Sequence, residues 1–180
     1  EIFENPGQMN LTRLDVAYDD FEGLLDLDLL TDETRAQHYV SRWRDWNTEE
    51  GSKGKTVILG SKKSEIYIRI YDKARERGFT DGGNWVRLEF QIKNDYAKNF
   101  ACLDMNISDK FFALLNNYVR FVIPSETESN NRRWPIAPYW QNFLQSQESI
   151  RIYEKPGVEY NELHLERYVF QQAGNSIDAF

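Results

Sequence analysis

Three segments of the chain alternate between apolar and polar residues, and this pattern constrains the fold more than any other feature of the sequence. The segments are 11–19 (LTRLDVAYD), 65–71 (EIYIRIY) and 85–93 (WVRLEFQIK). Successive side chains of a β-strand point to opposite faces of a sheet, so alternation predicts a strand with one buried face. A short apolar run, 56–59, precedes the second segment across a glycine-containing turn and indicates a β-hairpin. We therefore expect neighbouring, mainly antiparallel strands.

Helical spacing of apolar residues occupies much of the rest of the chain. It predicts helices over 31–46, 95–105, 108–122, 139–147 and 159–172. Turn, loop and connector composition is found at 48–55 (TEEGSKGK), 75–84 and 124–138. Strands that come early and helices that follow are typical of an α+β domain. We expect an open, mainly antiparallel twisted sheet with helices packed on one face.

The chain has 180 residues and one cysteine, Cys102, which we expect to be a buried core residue. This length suits one globular domain. Its first residues read like the interior of a protein, so we expect a fragment of a longer one, with a sheet core over 11–97 and a helical remainder over 98–180. The sequence contains neither a signal peptide nor an apolar run long enough to span a bilayer. We expect a cytoplasmic protein without membrane contacts.

The net charge of −7 at first argues against a nucleic-acid partner. The stretch from Arg35 to Lys93, however, carries more Lys and Arg than Asp and Glu. Within it, 42–44 (RWR) interleaves basic and aromatic residues, which is typical of nucleic-acid contacts but equally of a helix with exposed arginines. The two histidines, His38 and His164, form no metal-binding motif, and no phosphate-binding GxxxxGK[ST] loop occurs.

Alternation places the polar residues of the three segments on one surface, opposite the apolar face. That surface carries carboxylates, cations and a tyrosine, namely Asp15, Asp19, Glu89, Arg69, Lys73, Arg87, Lys93 and Tyr71. Carboxylates suit Mg²⁺ or Mn²⁺, and Arg or Lys can clamp phosphate oxygens. Nearby cations are expected to lower the pKa of a tyrosine from its usual value of roughly 10, so that it becomes a usable nucleophile.

A purely structural interpretation explains the same surface. Polar residues on the open face of a half-covered sheet are expected in any case. Cross-strand ion pairs such as Asp15 with Arg87, or Glu89 with Arg69, would be ordinary contacts. Alternation alone does not distinguish a catalytic site from such a surface, and it does not rank Tyr71 above Tyr67, which lies on the same side of its strand.

Three motifs resemble those of a known family. They are 13–19 (RLDVAYD), 60–73 (GSKKSEIYIRIYDK) and 85–93 (WVRLEFQIK). The middle motif, RIYDK after a GSxxS turn, is the most specific of the three. The chain resembles the replication initiators of small rolling-circle plasmids of Gram-positive bacteria, the Rep_trans family, and the related relaxases of integrative and conjugative elements. The resemblance is closest over 11–97.

This resemblance implies a single nicking-closing catalytic domain, with a role for each motif. Tyr71 would be the nucleophile, and Arg69 and Lys73 would flank the scissile phosphate. Acidic residues of the first and third motifs would hold Mg²⁺ or Mn²⁺, which maps onto Asp15 and Glu89. A third metal ligand would be Asp19, and the position of Gln91 is acidic in some relatives.

The implied reaction is a cut in one strand of plasmid DNA at the double-strand origin, bound as a hairpin or melted strand. It leaves a 5′ phosphotyrosine link and a free 3′ hydroxyl that primes synthesis. The family also implies a homodimer and a replicative helicase as partner. Residues expected to contact DNA are Lys62, Lys63, Arg87, Lys93, Arg42 and Arg44. The alternatives are a conjugative relaxase with the same chemistry, a DNA-binding module without cleavage, and a nuclease in which water attacks.

Overall fold

A computed structural model of the chain describes residues 11–79 and 83–145. Its strands are β1 (Arg13–Asp20), β2 (Tyr39–Ser41), β3 (Trp46–Gly51), β4 (Gly54–Leu59), β5 (Ile66–Asp72), β6 (Val86–Lys93) and β7 (Val119–Phe121). Its helices are α1 (Leu27–Arg35), α2 (Lys73–Glu76), α3 (Asn94–Cys102), α4 (Ile107–Tyr118) and α5 (Pro138–Gln145), with a 3₁₀ turn at Asn131–Arg133. The helix predicted over 159–172 lies outside the described residues.

The main sheet has five strands in the order β1-β6-β5-β4-β3, and every neighbouring pair is antiparallel. β2 and β7 form a separate antiparallel pair. The prediction of an α+β fold with a mainly antiparallel sheet is therefore confirmed. The three alternating segments become β1, β5 and β6, which are adjacent in the sheet, so their polar faces form one continuous surface.

The helices cover the apolar face of this sheet. Ile68, Ile70, Leu88 and Phe90 are fully buried there. They belong to one core cluster with the buried side chains of the helices, which include Leu30, Phe112, Leu115, Trp140 and Phe143. Removing this apolar area from water stabilises the packing of helices on sheet. In the described part of the chain, no helix is long and apolar enough to cross a membrane.

The helix predicted over 31–46 is wrong in its second half. α1 ends at Arg35, and the chain reverses through Gln37, whose φ of 58° is left-handed. The amide of His38 donates to the carbonyl of Glu33 at 2.9 Å, which closes the helix end. After this cap the backbone enters β2 and then β3. β2 is stabilised by pairing with the distant strand β7, and the local spacing of apolar residues does not reveal such a pairing.

Three further predictions need correction. Segment 48–55, predicted to be loop, supplies most of a hairpin between β3 and β4, in which Gly51 pairs with Gly54. The helix predicted over 108–122 is also too long, because α4 stops at Tyr118 and β7 follows. Cys102, predicted to be buried, is exposed because it ends α3 on the solvent side.

Candidate active site

The register of β1, β6 and β5 arranges the polar face in rows. In the first row Asp19 faces Arg87, and Arg87 faces Tyr71. In the second row Glu89 lies between Ala17 and Arg69. Because the side chain of Ala17 is a single methyl group, the space beside the Glu89 carboxylate is not filled by β1.

A third row joins Asp15, Gln91 and Tyr67, and a fourth pairs Arg13 with Lys93. These two rows lie toward the start of β5, whereas the rows of Tyr71 and Arg69 lie toward its end. Strand alternation thus brings the predicted residues of β1, β5 and β6 onto one face, as the sequence indicates. Lys73, predicted to continue the face of β5, instead begins α2 and is buried, because β5 ends at Asp72. The face has two ends, each built around one tyrosine.

The hydroxyl of Tyr71 donates to Oε2 of Glu89 at 3.1 Å. Tyr71 is 7% and Glu89 8% exposed, so this hydrogen bond is shielded from bulk water. The other carboxylate oxygen of Glu89 accepts from Arg69. Glu89 therefore pairs with Arg69 and contacts a tyrosine hydroxyl directly, the geometry required of a proton acceptor for that hydroxyl.

Cations surround the ring of Tyr71. The guanidinium of Arg69 lies 5.3 Å and the ammonium of Lys73 5.5 Å from the ring centroid. Lys73 is buried and paired with Glu76. Nε of Arg69 is buried and has no hydrogen-bond partner among the residues that the structure describes. A buried donor without a partner is costly, so an acceptor such as a phosphate oxygen would stabilise this arrangement.

Burial, together with the negative charge of Glu89, raises the pKa of Tyr71 to about 12, and Arg87 opposes this rise. The expectation that surrounding cations lower this pKa is therefore wrong for the protein without bound DNA. The reason is that Tyr71 is buried beside a carboxylate, which alternation does not reveal. The hydroxyl keeps its proton at neutral pH and presents it to Glu89.

Asp19 is held by two neighbours at the end of β1. Its carboxylate accepts from Nε and Nη2 of Arg87 at 2.7 and 2.6 Å and from the indole N–H of Trp85 at 2.6 Å. The hydrogen bond from Arg87 lowers the pKa of Asp19 and raises that of Arg87. The ion pair that sequence analysis assigned to Asp15 and Arg87 is thus formed by Asp19, because Asp15 faces Gln91 in the register.

At the other end of the face, the hydroxyl of Tyr67 donates to Oε1 of Gln91. The ammonium of Lys93 lies 5.8 Å from the Tyr67 ring centroid. Asp15 pairs with Arg13, whose Nε donates to Oδ1 at 2.8 Å. This end offers Tyr67 a neutral amide in place of a carboxylate.

The predicted metal ligands differ in their positions and partners. Asp15 and Glu89 occupy diagonal positions on β1 and β6, whereas both oxygens of Asp19 are engaged by Arg87. Within residues 11–79 and 83–145, no three His, Cys, Asp or Glu side chains form a metal-binding group. Mg²⁺ is commonly held by one or two carboxylates, with phosphate and water oxygens completing its shell. Asp15 and Glu89 carry oxygens of the required kind. Arg13 engages both oxygens of Asp15, and Arg69 and Tyr71 engage those of Glu89, so a bound cation would replace some of these contacts.

The predicted DNA contacts are divided between the two ends of the face and a separate site. Lys62 and Lys63 are exposed on the turn between β4 and β5, and Lys93 donates to the carbonyl of Lys62. Arg87 belongs to the Tyr71 end. The three lysines and Arg87 all lie on the polar face or at its border.

Arg42 and Arg44 lie apart from these residues, between β2 and β3. Arg42 bonds to Asn117, and its guanidinium lies 5.4 Å from the ring centroid of Tyr118. Arg44 lines an open cavity of about 180 Å³ together with Tyr39, Trp43 and Trp46, among others. The helix on which sequence analysis placed both arginines is absent at these positions.

Sequence analysis missed Trp85 and Glu76 as parts of this site. Trp85 begins the third alternating segment with the same parity as Arg87, so alternation itself would have placed it on the polar face. Glu76 pairs with Lys73 across one turn of α2, a spacing visible once a helix is assumed there. The segment was interpreted as a turn, and that signal was therefore overlooked.

Comparisons with known proteins identify the family to which the chain is similar. The family model described as "Replication initiation factor" matches residues 9–180. A Bacillus subtilis (strain 168) protein named as the DNA relaxase NicK is 28% identical over 169 residues. The match covers 84% of this chain and 47% of that protein.

A solved structure of a rolling-circle replication initiator protein from Geobacillus stearothermophilus is also similar. It superposes with a TM-score of 0.71 at 30% identity, over 81% of this chain and 59% of the other. The chain thus spans about half the length of the curated relative and about three fifths of the solved one.

Proposed function

The chain belongs to the replication initiation factor family, and from that premise we propose that it nicks one strand of DNA through attack by Tyr71. The nick would initiate rolling-circle replication of a plasmid. The observation that carries the proposal is the buried hydrogen bond from the Tyr71 hydroxyl to Glu89, at 3.1 Å, with two cations close to the tyrosine ring. It unites a nucleophile, a proton acceptor and groups that bind phosphate.

The proposed step is a transesterification. Oη of Tyr71 forms a bond to the phosphorus of a DNA phosphodiester, and its proton passes to the carboxylate of Glu89. The bond from phosphorus to the 3′ oxygen breaks, and that oxygen takes a proton from solvent and leaves as a 3′ hydroxyl. The 5′ phosphate stays joined to Tyr71. Closing is the same sequence in reverse, with a 3′ hydroxyl as the attacking group.

Arg69 and Lys73 would stabilise the charge on the phosphate oxygens during this step. The unpartnered Nε of Arg69 is a donor that a phosphate oxygen would satisfy. The ammonium of Lys73 lies at a similar distance from the same ring, so two cations are close to the Tyr71 side chain. Removing one fixed hydrogen-bond donor beside a developing charge typically lowers the reaction rate roughly 10²- to 10³-fold.

We further propose Mg²⁺ or Mn²⁺ as cofactor, held by Asp15 and Glu89, with oxygens of the DNA phosphate as additional ligands. A bound cation would polarise the phosphate and reduce the negative charge that Glu89 presents to Tyr71. Asp19 fits a different task, because its pairing with Arg87 fixes that guanidinium opposite Tyr71. Action as a homodimer and recruitment of a replicative helicase remain predictions from the family.

A second candidate function is that of a relaxase of a conjugative element. The observation that favours it is the similarity to the relaxase of Bacillus subtilis. The chemistry at Tyr71 would be the same, and the two functions differ in the DNA on which they act.

A covalent-trapping assay tests the proposal. The protein is incubated with labelled single-stranded and supercoiled origin DNA, with Mn²⁺ or with EDTA, and is then run on a denaturing gel. Tyr71→Phe is compared with the matched variant Tyr67→Phe. We expect a metal-dependent protein–DNA adduct that is lost in Tyr71→Phe and kept in Tyr67→Phe.

Other outcomes have distinct meanings. Cleavage without an adduct, unchanged in Tyr71→Phe, would contradict the tyrosine mechanism and indicate a nuclease that uses water. DNA binding without cleavage or adduct in any reaction would indicate a binding module. An adduct that forms equally in EDTA would contradict the proposed metal cofactor and leave the tyrosine mechanism standing.

A further inference from the structure

Three aromatic side chains lie together at the surface beside the proposed active site. The ring centroid of Trp85 is 5.4 Å from that of Phe21 and 6.3 Å from that of Phe79. Phe21 is 62% and Phe79 54% exposed, the highest values among the aromatic residues that the structure describes. Contiguous exposed apolar surface in a folded protein commonly marks a binding site. Phe21, Phe79 and Trp85 are called the aromatic platform below.

Phe21 is held in place by the residue before it. Asp20 is buried at the end of β1, and its carboxylate accepts from the amides of Glu22 at 3.0 Å, Gly23 at 3.1 Å and Leu25 at 2.7 Å. These three bonds fix the turn that carries Phe21. The exposed ring is therefore displayed on an ordered backbone.

Phe79 is held in a similar way by the end of α2. Gly78 has a φ of 81°, and the amide of Phe79 donates to the carbonyl of Ala74 at 2.9 Å. The carbonyl of Trp85 accepts from the amide of Lys73 at 2.9 Å, which ties α2 to the start of β6. Groups held in position before a ligand arrives lose little freedom when it binds.

The platform is continuous with the site through hydrogen bonds. The indole of Trp85 donates to Asp19, Asp19 pairs with Arg87, and Arg87 faces Tyr71 across the sheet. The guanidinium of Arg87 lies 5.9 Å from the Trp85 ring centroid. A ligand that reaches Tyr71 would therefore have flat apolar surface within reach.

Positive charge borders the platform. Between Tyr71 and Phe79 the chain carries Lys73, Arg75 and Arg77, with Arg87 on the neighbouring strand. Lys73, Arg75 and Arg87 each pair with a carboxylate, and Arg77 is exposed beside Phe79. A partner that combines flat apolar rings with regularly spaced negative charges matches this surface. Single-stranded DNA has that chemistry, because its bases stack on aromatic side chains while its phosphates contact cations.

We propose that the aromatic platform stacks unpaired bases of the DNA strand next to the phosphate that Tyr71 attacks. This inference rests on the proposed function and deepens it, because it specifies melted DNA as the form bound near the nucleophile. Paired bases in a duplex expose only their edges, so the platform favours strands that are already unpaired. Stacking also tolerates any base, so the platform holds the strand without reading its sequence.

The test compares two probes of equal charge. One is a labelled oligothymidylate, and the other is a labelled strand of the same length whose deoxyribose units are all abasic. Affinity of the full chain for each is measured by fluorescence anisotropy at one fixed salt concentration, since salt alters phosphate contacts. We expect tighter binding of the oligothymidylate by roughly 5- to 150-fold for each stacked base.

Three variants locate the preference. Phe21→Ala/Phe79→Ala should lose most of it while binding the abasic strand as the wild type does. Phe21→Tyr/Phe79→Tyr keeps the rings and should retain it. Ile107→Ala removes a side chain that is 60% exposed on α4, which packs on the helical side of the sheet, and should change neither affinity.

The remaining outcomes overturn the inference in distinguishable ways. A wild type that binds both probes equally, or a double Ala variant that keeps the preference, refutes the platform and leaves the proposed function standing. Failure of the wild type to bind either probe contradicts the proposed function as well. A fall in molecular mass of the double Ala variant by light scattering, with base preference unchanged, would instead identify the platform as a contact between copies of the chain.

Discussion

Tyr71 and Tyr67 lie on the same face of β5, and their surroundings differ in charge. Both are nearly fully buried, with 7% and 3% of their surface exposed. The hydroxyl of Tyr71 donates to the carboxylate of Glu89, whereas that of Tyr67 donates to the amide of Gln91. A carboxylate can accept a proton at neutral pH, and an amide cannot.

The cations divide in the same way. Arg69 and Lys73 both approach the ring of Tyr71, whereas among the described residues only Lys93 lies over the ring of Tyr67. The comparison shows that two equivalent strand positions acquire different chemistry from the residue opposite each of them. It supports Tyr71 as nucleophile without any reference to the family motif.

The largest effect is expected from removal of the proton acceptor. Glu89→Gln keeps the shape of the side chain and removes its charge, so Tyr71 loses the base. We expect the nicking rate to fall roughly 10²- to 10⁴-fold. Single-turnover cleavage of labelled origin DNA measures the rate, and circular dichroism checks that the variant is folded.

Gln91→Leu is the matched control at the other end of the face. It removes the acceptor of Tyr67, and we expect a change in nicking rate of less than roughly tenfold. Equal losses in Glu89→Gln and Gln91→Leu would remove the distinction between the two tyrosines.

The next effect concerns the cations. Arg69→Ala removes the guanidinium beside Tyr71, and we expect a loss of roughly 10²-fold in single-turnover rate. Lys93→Ala at the Tyr67 end should weaken DNA binding and reduce its salt dependence with little change in that rate. A larger rate loss in Lys93→Ala than in Arg69→Ala would place the reacting phosphate at the Tyr67 end and contradict the assignment of Tyr71.

A smaller effect is expected from Asp19→Asn, which breaks the charged pair with Arg87. Loss of hydrogen bonds to a charged partner should lower the free energy of unfolding by about 1–3 kcal/mol. The folded-state pKa of Asp19 is lowered, so its stabilisation is fully present above its unfolded pKa. It is lost as pH falls through the folded pKa.

Thermal unfolding across pH measures this contribution. The difference in Tm between wild type and Asp19→Asn should be constant near neutral pH and shrink below about pH 4. A difference that grows as the solution is acidified would contradict the assigned pairing.

The smallest effect on the nicking rate is expected from Gly60→Ala, at the Tyr67 end. Gly60 has a φ of 93°, and a Cβ there would lie 2.9 Å from Cδ1 of Trp43 and 2.9 Å from Cβ of Tyr67. We expect destabilisation of about 1–3 kcal/mol, measured by urea unfolding. Nicking by the folded variant should equal that of the wild type, and a rate loss like that of Arg69→Ala would show that the two ends act together.

Alternation predicted the parts of the molecule in which one face is buried. Within β6, for example, Leu88 and Phe90 point into the core while Arg87 and Glu89 lie on the polar face. Strands without such a face were missed. β3 is an edge strand with largely exposed polar residues, so it shows no alternation, and the glycines at the hairpin turn were its only signal.

The residues that make up the site could be predicted from the sequence, but not which of them pair with one another. Alternation placed Asp15, Asp19 and Glu89 on one face, yet only the register decides that Arg87 faces Asp19. The pKa of Tyr71 depends on burial and on the orientation of Glu89, neither of which the sequence specifies. The aromatic platform was missed because its two phenylalanines lie on turns, outside any periodic pattern.

The most direct test of the central claim is to identify the tyrosine that carries the DNA. The adduct formed by wild-type protein is digested with nuclease and protease, and the peptide that bears the residual nucleotide is sequenced by mass spectrometry. We expect the modification on Tyr71. A nucleotide on Tyr67, or on any other residue, would contradict the assignment of nucleophile and base.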